Sequence, residues 1–218
     1  MPIRHVVIEH LEPVLSRWAL VEYRHAARIA GDLLLITNVR DPAERELLSG
    51  FCRVEGRSVA ELGVPCERMV VLDPRAPEPL EPEDVKGAEL VVVGGIMGDF
   101  PPRGRTAELL TSRLPGALMR NLGPGQLSVD GAVYVALQVM RGRRLEELEF
   151  VDGVEIRLGK YHVVRLPYRY PVVGGRPLIS EELVEYLRHG IEEDEAEAIR
   201  EGRMRSAAEP RGPSKSLA

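Results

Sequence analysis

The chain lacks any run of about 18 consecutive apolar residues, the least that crosses a membrane as a helix. Residues 1–11 carry Arg4, His5, Glu9 and His10 where a secretory leader would be apolar. No membrane association is expected, and a soluble cytoplasmic protein is. Cysteine is almost missing: Cys52 and Cys66 are too far apart for a Cys-x-x-Cys pair and too few for a zinc quartet, so free buried thiols are expected. The five histidines show no His-Glu-x-x-His or similar ligand spacing, and no metal site is expected. Surplus positive charge is absent too. A net charge of -5 gives no global attraction to nucleic acid or an anionic membrane, so RNA could be held only by a local basic patch. Asparagine and glutamine are scarce beside abundant arginine, glutamate and proline, a balance that suits a thermophile with surface ion-pair networks.

What is present is enough chain, 218 residues, for one sizeable core. Residues 1–190 are expected to form it, with 191–218, charged and almost free of large apolar residues, as a fraying helix and then a disordered tail. The most informative stretch is 94–106, GGIMGDFPPRGRT, directly after the aliphatic run Leu90, Val91, Val92 and Val93. The run describes a buried strand; paired glycines at its end describe a loop where backbone approaches something closely. In an open α/β sheet that end of a strand is where ligands bind. The spacing Gly94, Gly95, Gly98 differs from a dinucleotide fingerprint, and Asp99 with Pro101 and Pro102 would repel phosphate and remove amide donors. The loop suits a phosphate-free nucleoside with a cation near Asp99, a description that S-adenosylmethionine meets. A merely tight, stiffened turn is the competing reading.

Alternation and caps supply the other elements. Strands are expected at 5–11, 33–39, 67–73, 90–93, 117–122, 150–158 and 161–173. Pro167 demotes the last to an edge or bulged strand. Helices are expected at 15–30, stopped by Gly31; at 42–51, opened by Asp41-Pro42; at 107–113; at 129–140, capped by Ser128; and at 180–190. Glu22 falls on the apolar face of the first helix, where a carboxylate either sits at the core's edge or points into a polar pocket. A second glycine loop, GPGQLS at 123–128, follows a strand and could face the first across one pocket. Arg141, Arg143 and Arg144 suit the negative end of the helix before them better than an RNA patch.

In order along the chain, IEHLE at 8–12, Trp18, VEY at 21–23, LDP at 72–74, the 94–106 block, LG at 122–123, Gln126, Asp130, FVD at 150–152 and PYRY at 167–170 resemble a branch of the SPOUT-class methyltransferases, the one that methylates arginine in a ribosomal protein. The resemblance covers about the first 187 residues. It departs at Tyr168, where the family is expected to have Phe, and at Ser128-Val129, where paired threonines are expected. It implies an α/β fold, a sheet with helices on both faces and a C-terminal trefoil knot, which topology rules alone would not suggest.

The resemblance further implies S-adenosyl-L-methionine as cofactor, held at Leu72, Asp73, Pro74, Gly94, Gly95, Ile96, Gly98, Asp99, Leu122, Gly123, Gln126, Leu127 and Ser128. The implied reaction is methyl transfer to an arginine of a ribosomal or translation-related protein. A guanidinium is a poor nucleophile, and a carboxylate paired to two of its nitrogens leaves the third more electron-rich. Asp99 is the first candidate for that carboxylate, with Glu9, Glu22 and Asp152 in reserve. Arg103 and Arg105 are placed as anchors for the cofactor carboxylate or an acidic substrate segment, or as solvated loop arginines. Structured RNA (rRNA or tRNA) is the alternative acceptor, with Arg103, Arg105, Arg113 and Arg120 as its phosphate track. A non-catalytic ribosome-assembly factor is a further alternative. SPOUT proteins are commonly dimers, so a homodimer is a possible state.

Overall fold

The computed structural model describes residues 5–98, 104–160 and 162–210 of the chain. β1 (His5–His10), β2 (Leu34–Thr37), β3 (Arg53–Val54), β4 (Met69–Leu72), β5 (Leu90–Gly95) and β6 (Leu118–Arg120) form one parallel sheet in the order β3-β2-β1-β5-β4-β6. β1, β4 and β5 are buried on both faces, which is why their centres, 6–8, 69–72 and 90–93, read as apolar runs without alternation.

Alternate residues of those strands feed two cores. Val6, Ile8, Val91 and Val93 pack with α1 (Arg17–Ala30), α2 (Pro42–Ser49) and α4 (Val129–Met140). Val7, Val71 and Val92 turn the other way, against Val59, Leu110 and Leu114. Helices were expected on both faces. They are present: α1, α2 and α4 lie on the first face, and the second carries the five-residue α3 (Arg105–Leu109) with the short 3-10 helices Val59–Glu61, Cys66–Arg68 and Thr111–Arg113.

Caps set the helix limits. The Ser16 hydroxyl accepts from Ala19 N–H, Asp41 accepts from Ala43 and Glu44 N–H with Pro42 at the first helical position, and Ser128 accepts from Gly131 N–H. Gly31 stops α1 at a φ of 55°.

β7 (Phe150–Arg157), β8 (Val163–Val173) and β9 (Arg176–Pro177) form a separate antiparallel sheet. With α5 (Glu181–His189) it closes a third core over Val21 of α1, through Leu166, Tyr170, Leu183 and Leu187. Pro167 falls where the β7–β8 register slips between Asp152 and Val154, as a bulge requires. Of the two expectations for β8, edge or bulged, the bulged one holds: β8 is the central strand, and the bulge accommodates the missing N–H.

A helix was expected after residue 190, and Ile191–Glu201 forms one, α6; 202–210, expected to be disordered, instead turns back along the body. Ala207 N–H donates to the Leu15 carbonyl (2.7 Å), and the Ser206 hydroxyl donates to Glu44 (2.6 Å). α6 is held by Arg17–Asp194 (3.3 Å) and by the Tyr186 hydroxyl on Asp194 (3.0 Å). These are polar attachments, invisible to a count of large apolar residues. Residues 211–218 lie outside the described residues.

Candidate active site

Because β4, β5 and β6 run parallel, their carboxyl ends deliver three loops to one side of the sheet. The loops enclose a cleft of about 370 Å³ lined by Leu72, Asp73, Pro74, Gly94, Ile96, Gly98, Leu122, Gly123, Gln126, Leu127 and Ser128. Those expected contacts therefore do share one cavity. Gly95 does not line it. Its neighbour Gly94 faces the cleft, and strand alternation turns Gly95 into the core, where an added Cβ would meet the Tyr23 hydroxyl, the Glu9 carbonyl at 2.8 Å and Ile8 Cγ2 at 2.9 Å. Asp99 and Arg103 lie outside the described residues.

Each loop is braced from behind. Asp73, buried, accepts from Arg75 N–H (2.9 Å) and from the Thr111 hydroxyl (2.6 Å), which fixes the turn after β4. The Met97 N–H donates to Glu12 (2.8 Å), and Arg105 spans Glu12 and the Met97 carbonyl. Arg105 lines the cleft, but its ion pair with Glu12 makes it a brace of the first glycine loop. In the second loop Gly123 and Gly125 hold φ of 87° and 85°. Arg169 donates to the Pro124 carbonyl (2.7 Å) and stacks over Phe150, clamping that loop to β8.

The two glycine loops touch at Gly98. A Cβ there would be driven into the Gln126 amide and to 2.7 Å from Tyr168, whose hydroxyl donates to the Gly98 carbonyl (2.7 Å). Gln126 Oε1 is buried and has no hydrogen-bond partner among the described residues. A buried acceptor left open at the wall of a cleft costs free energy until something donates to it.

A second, larger cleft of about 710 Å³ adjoins the first. Ile96, Gly98, Leu127, Ser128 and Val129 belong to both, so these residues are the wall between them. Its other sides are Ser16, Trp18, Leu20 and Glu22 of the α1 region, Tyr168 and Tyr186, and residues 194–209 of α6 and the returning segment. Sequence reasoning missed this second cleft. Trp18 drew attention through the family resemblance and not as a cleft residue, and the charged 194–209 stretch gave no apolar signal.

Glu22 is the one acid proposed for the chemistry that the described structure places in this cleft. It is 4% exposed, accepts from Trp18 Nε1 (2.7 Å) and from the Val129 N–H (2.9 Å), and faces Asp130. Burial, then repulsion by Asp130, pushes its carboxyl up to about 8, against the two hydrogen bonds. Asp130 is itself held by His25 (2.5 Å).

Glu9 lines neither cleft. Its carboxylate is taken up by the Thr37 and Ser58 hydroxyls and by Val59 N–H (2.9 Å), which ties β1 to the far face of the sheet. A buried carboxylate with that many donors is structural. Asp152 is exposed and pairs with Arg169 (3.6 Å).

The parallel sheet, with three loops gathered over its carboxyl edge, has the fold of the SPOUT-class methyltransferases. A dual-specific Trm10 from Thermococcus kodakaraensis superposes with a TM-score of 0.50 at 19% identity, covering 66% of this chain and 96% of that one.

More particularly, the chain belongs to the family described as protein arginine N-methyltransferase SFM1-like, whose profile matches residues 5–194. Protein arginine N-methyltransferase SFM1 of Saccharomyces cerevisiae is 31% identical over 198 residues, 84% of this chain and 93% of the yeast protein. The crystal structure of the yeast arginine methyltransferase SFM1 complexed with SAM matches with a TM-score of 0.78 at 28% identity, over 86% of this chain and 92% of that one.

Proposed function

We propose that this protein transfers a methyl group from S-adenosylmethionine to an arginine side chain of a polypeptide. The observation that carries the reading is the pair of clefts: one shaped by glycine loops and one containing Glu22, meeting at a shared wall. The residues present fit the cofactor. Leu72, Val93, Ile96, Leu122 and Leu127 give the smaller cleft an apolar lining for a purine, Gly94 adds no side chain to it, and Gly98 lets the two glycine loops close on each other at Gln126 and Tyr168. The open Gln126 acceptor awaits a donor. Bound there, S-adenosylmethionine supplies an electrophilic methyl on a positively charged sulfur.

The chain's own residues do the rest. A guanidinium entering the larger cleft brings positive charge beside Glu22 and favours its carboxylate, which burial otherwise disfavours. The carboxylate then orients two guanidinium nitrogens and concentrates positive charge on them, freeing the third to react. The acceptor enters as a cation and leaves as a methylated cation, so one nitrogen-bound proton must be given up. The Glu22 carboxylate, hydrogen-bonded to two of those nitrogens, accepts that proton as the new N–C bond forms. The Trp18 and Val129 donors keep its two oxygens in place throughout. The trefoil knot that the resemblance implies belongs to this proposal, supported by the family match over residues 5–194.

The test is incubation with radiolabelled S-adenosylmethionine and a ribosomal fraction, then separate protease and nuclease digestion. Label released by protease and carried on arginine is expected. Label released only by nuclease would make RNA the acceptor and overturn the reading.

A further inference from the structure

The family profile ends at residue 194, yet the chain continues as the rest of α6 and the returning segment and forms one side of the larger cleft. This side is built around an arginine. Arg205 Nη1 lies 2.5 Å from Glu197 Oε1, its Nη2 donates to the Pro210 carbonyl, and its Nε stands 3.5 Å from Glu209. The Arg205 side chain is 22% exposed and Glu197 19%, so the pair is largely withdrawn from water. A guanidinium of this protein thus already sits on carboxylates in the cleft where a guanidinium is the proposed substrate.

The seat is independent of its occupant. The returning segment is fixed by Ala207 on Leu15 and by Ser206 on Glu44, and Glu197 is carried by α6, so removing the Arg205 side chain leaves the carboxylate in place. The occupant is also imperfectly bound. Arg205 Nε is buried without a hydrogen bond among the described residues, and Glu209 is shared with Arg203, which grips both of its oxygens at 2.8 and 2.9 Å. A better-placed cation can therefore compete for Glu197.

We propose, resting on the methyltransferase reading above, that Glu197 with Glu209 beside it is a second guanidinium subsite of the acceptor cleft. The chain's Arg205 fills it in the free protein, and the acceptor polypeptide fills it with a second basic residue near the arginine that reaches Glu22. The substrate class is then a segment with at least two basic side chains, and Arg205 is a specificity-determining competitor.

The experiment is calorimetry on the full chain saturated with S-adenosylhomocysteine. The probes are acetylated glycine peptides bearing either one arginine or two arginines separated by one, two or three glycines. Arg205→Gln is expected to bind at least one of the two-arginine peptides about fivefold or more tighter than the unaltered protein, with no change for the one-arginine peptide. In Arg205→Gln/Glu197→Gln the gain should vanish. Equal affinities in Arg205→Gln, a gain shared by the one-arginine peptide, or a gain that survives loss of Glu197 would each overturn the subsite. S-adenosylhomocysteine binding separates the two layers: if it persists while the gain is missing, only the subsite falls. If no protein in the series binds it, the methyltransferase reading falls and takes the subsite with it.

Discussion

The Glu22 carboxylate accepts a 2.9 Å hydrogen bond from the backbone N–H of Val129, a residue 107 positions later in the chain. That bond joins the middle of α1 to the start of α4, at the wall between the two clefts. One side chain thus both fixes the wall and presents an acid to the larger cleft. Glutamine at this position keeps the side chain's shape but accepts from only one of Trp18 and Val129, because their bonds end on different oxygens, and it cannot carry the charge.

The pH dependence of turnover follows from the Glu22 environment. Its carboxyl is raised to about 8, so the free enzyme gains the carboxylate only as pH rises through that value. We expect kcat/KM for an arginine peptide to climb up to about pH 8. A profile already flat from pH 6 would remove Glu22 from the ionisation that matters.

Stability should respond to pH at His10. Burial lowers its pKa from 6.5, more strongly than Glu44 and Glu12 raise it, and its ring shares a 2.9 Å hydrogen bond with the Tyr23 hydroxyl. A pKa lower in the folded than the unfolded state means that the unfolded chain takes the proton first. The stabilising contribution is therefore whole above pH 6.5 and is lost as pH falls from there through the folded value. Denaturant midpoints measured between pH 7.5 and 5 should fall less steeply in His10→Gln; identical slopes would contradict this.

Neighbouring glycines should fail in different ways. Gly98→Ala pushes a methyl between Gln126 and Tyr168 and is expected to weaken S-adenosylhomocysteine binding at least about tenfold. Gly95→Ala meets backbone and core instead and should cost about 1–3 kcal/mol of stability, read as a lower melting temperature. Equal cofactor affinity in Gly98→Ala would contradict the placement of the nucleoside.

Gln126→Leu removes an acceptor that is buried without a partner among the described residues. An unmet acceptor costs about 1–3 kcal/mol, so the substitution should leave the cofactor-free protein as stable or more so. Cofactor affinity should nonetheless fall about tenfold. Unchanged affinity would mean that Oε1 makes no bond to the ligand.

The strands and the glycine loops were legible because β-branched runs and paired glycines write themselves directly into sequence: the strand expected at 90–93 is there and extends to Gly95, and the Ser128 cap marked the start of the helix Val129–Met140. The meeting of the loops after Leu72, Gly94 and Leu122 follows from parallel pairing, which places strand ends side by side. Gly95 was misjudged because paired glycines conceal that adjacent residues face opposite ways. Glu22 was legible as an anomaly on an apolar face, yet its partner Val129 is a long-range contact that no local pattern encodes. The 202–210 segment escaped notice since hydrogen bonds to Leu15 and Glu44 hold it, and composition records apolar burial alone.

The most direct test of the account is single-turnover methyl transfer from S-adenosylmethionine to an arginine peptide, comparing the unaltered protein with Glu22→Gln at matched S-adenosylhomocysteine affinity. The account predicts methyl on a guanidino nitrogen with the unaltered protein and a rate about 100-fold or more lower with Glu22→Gln. Methylation of the same arginine at an undiminished rate by Glu22→Gln would contradict it.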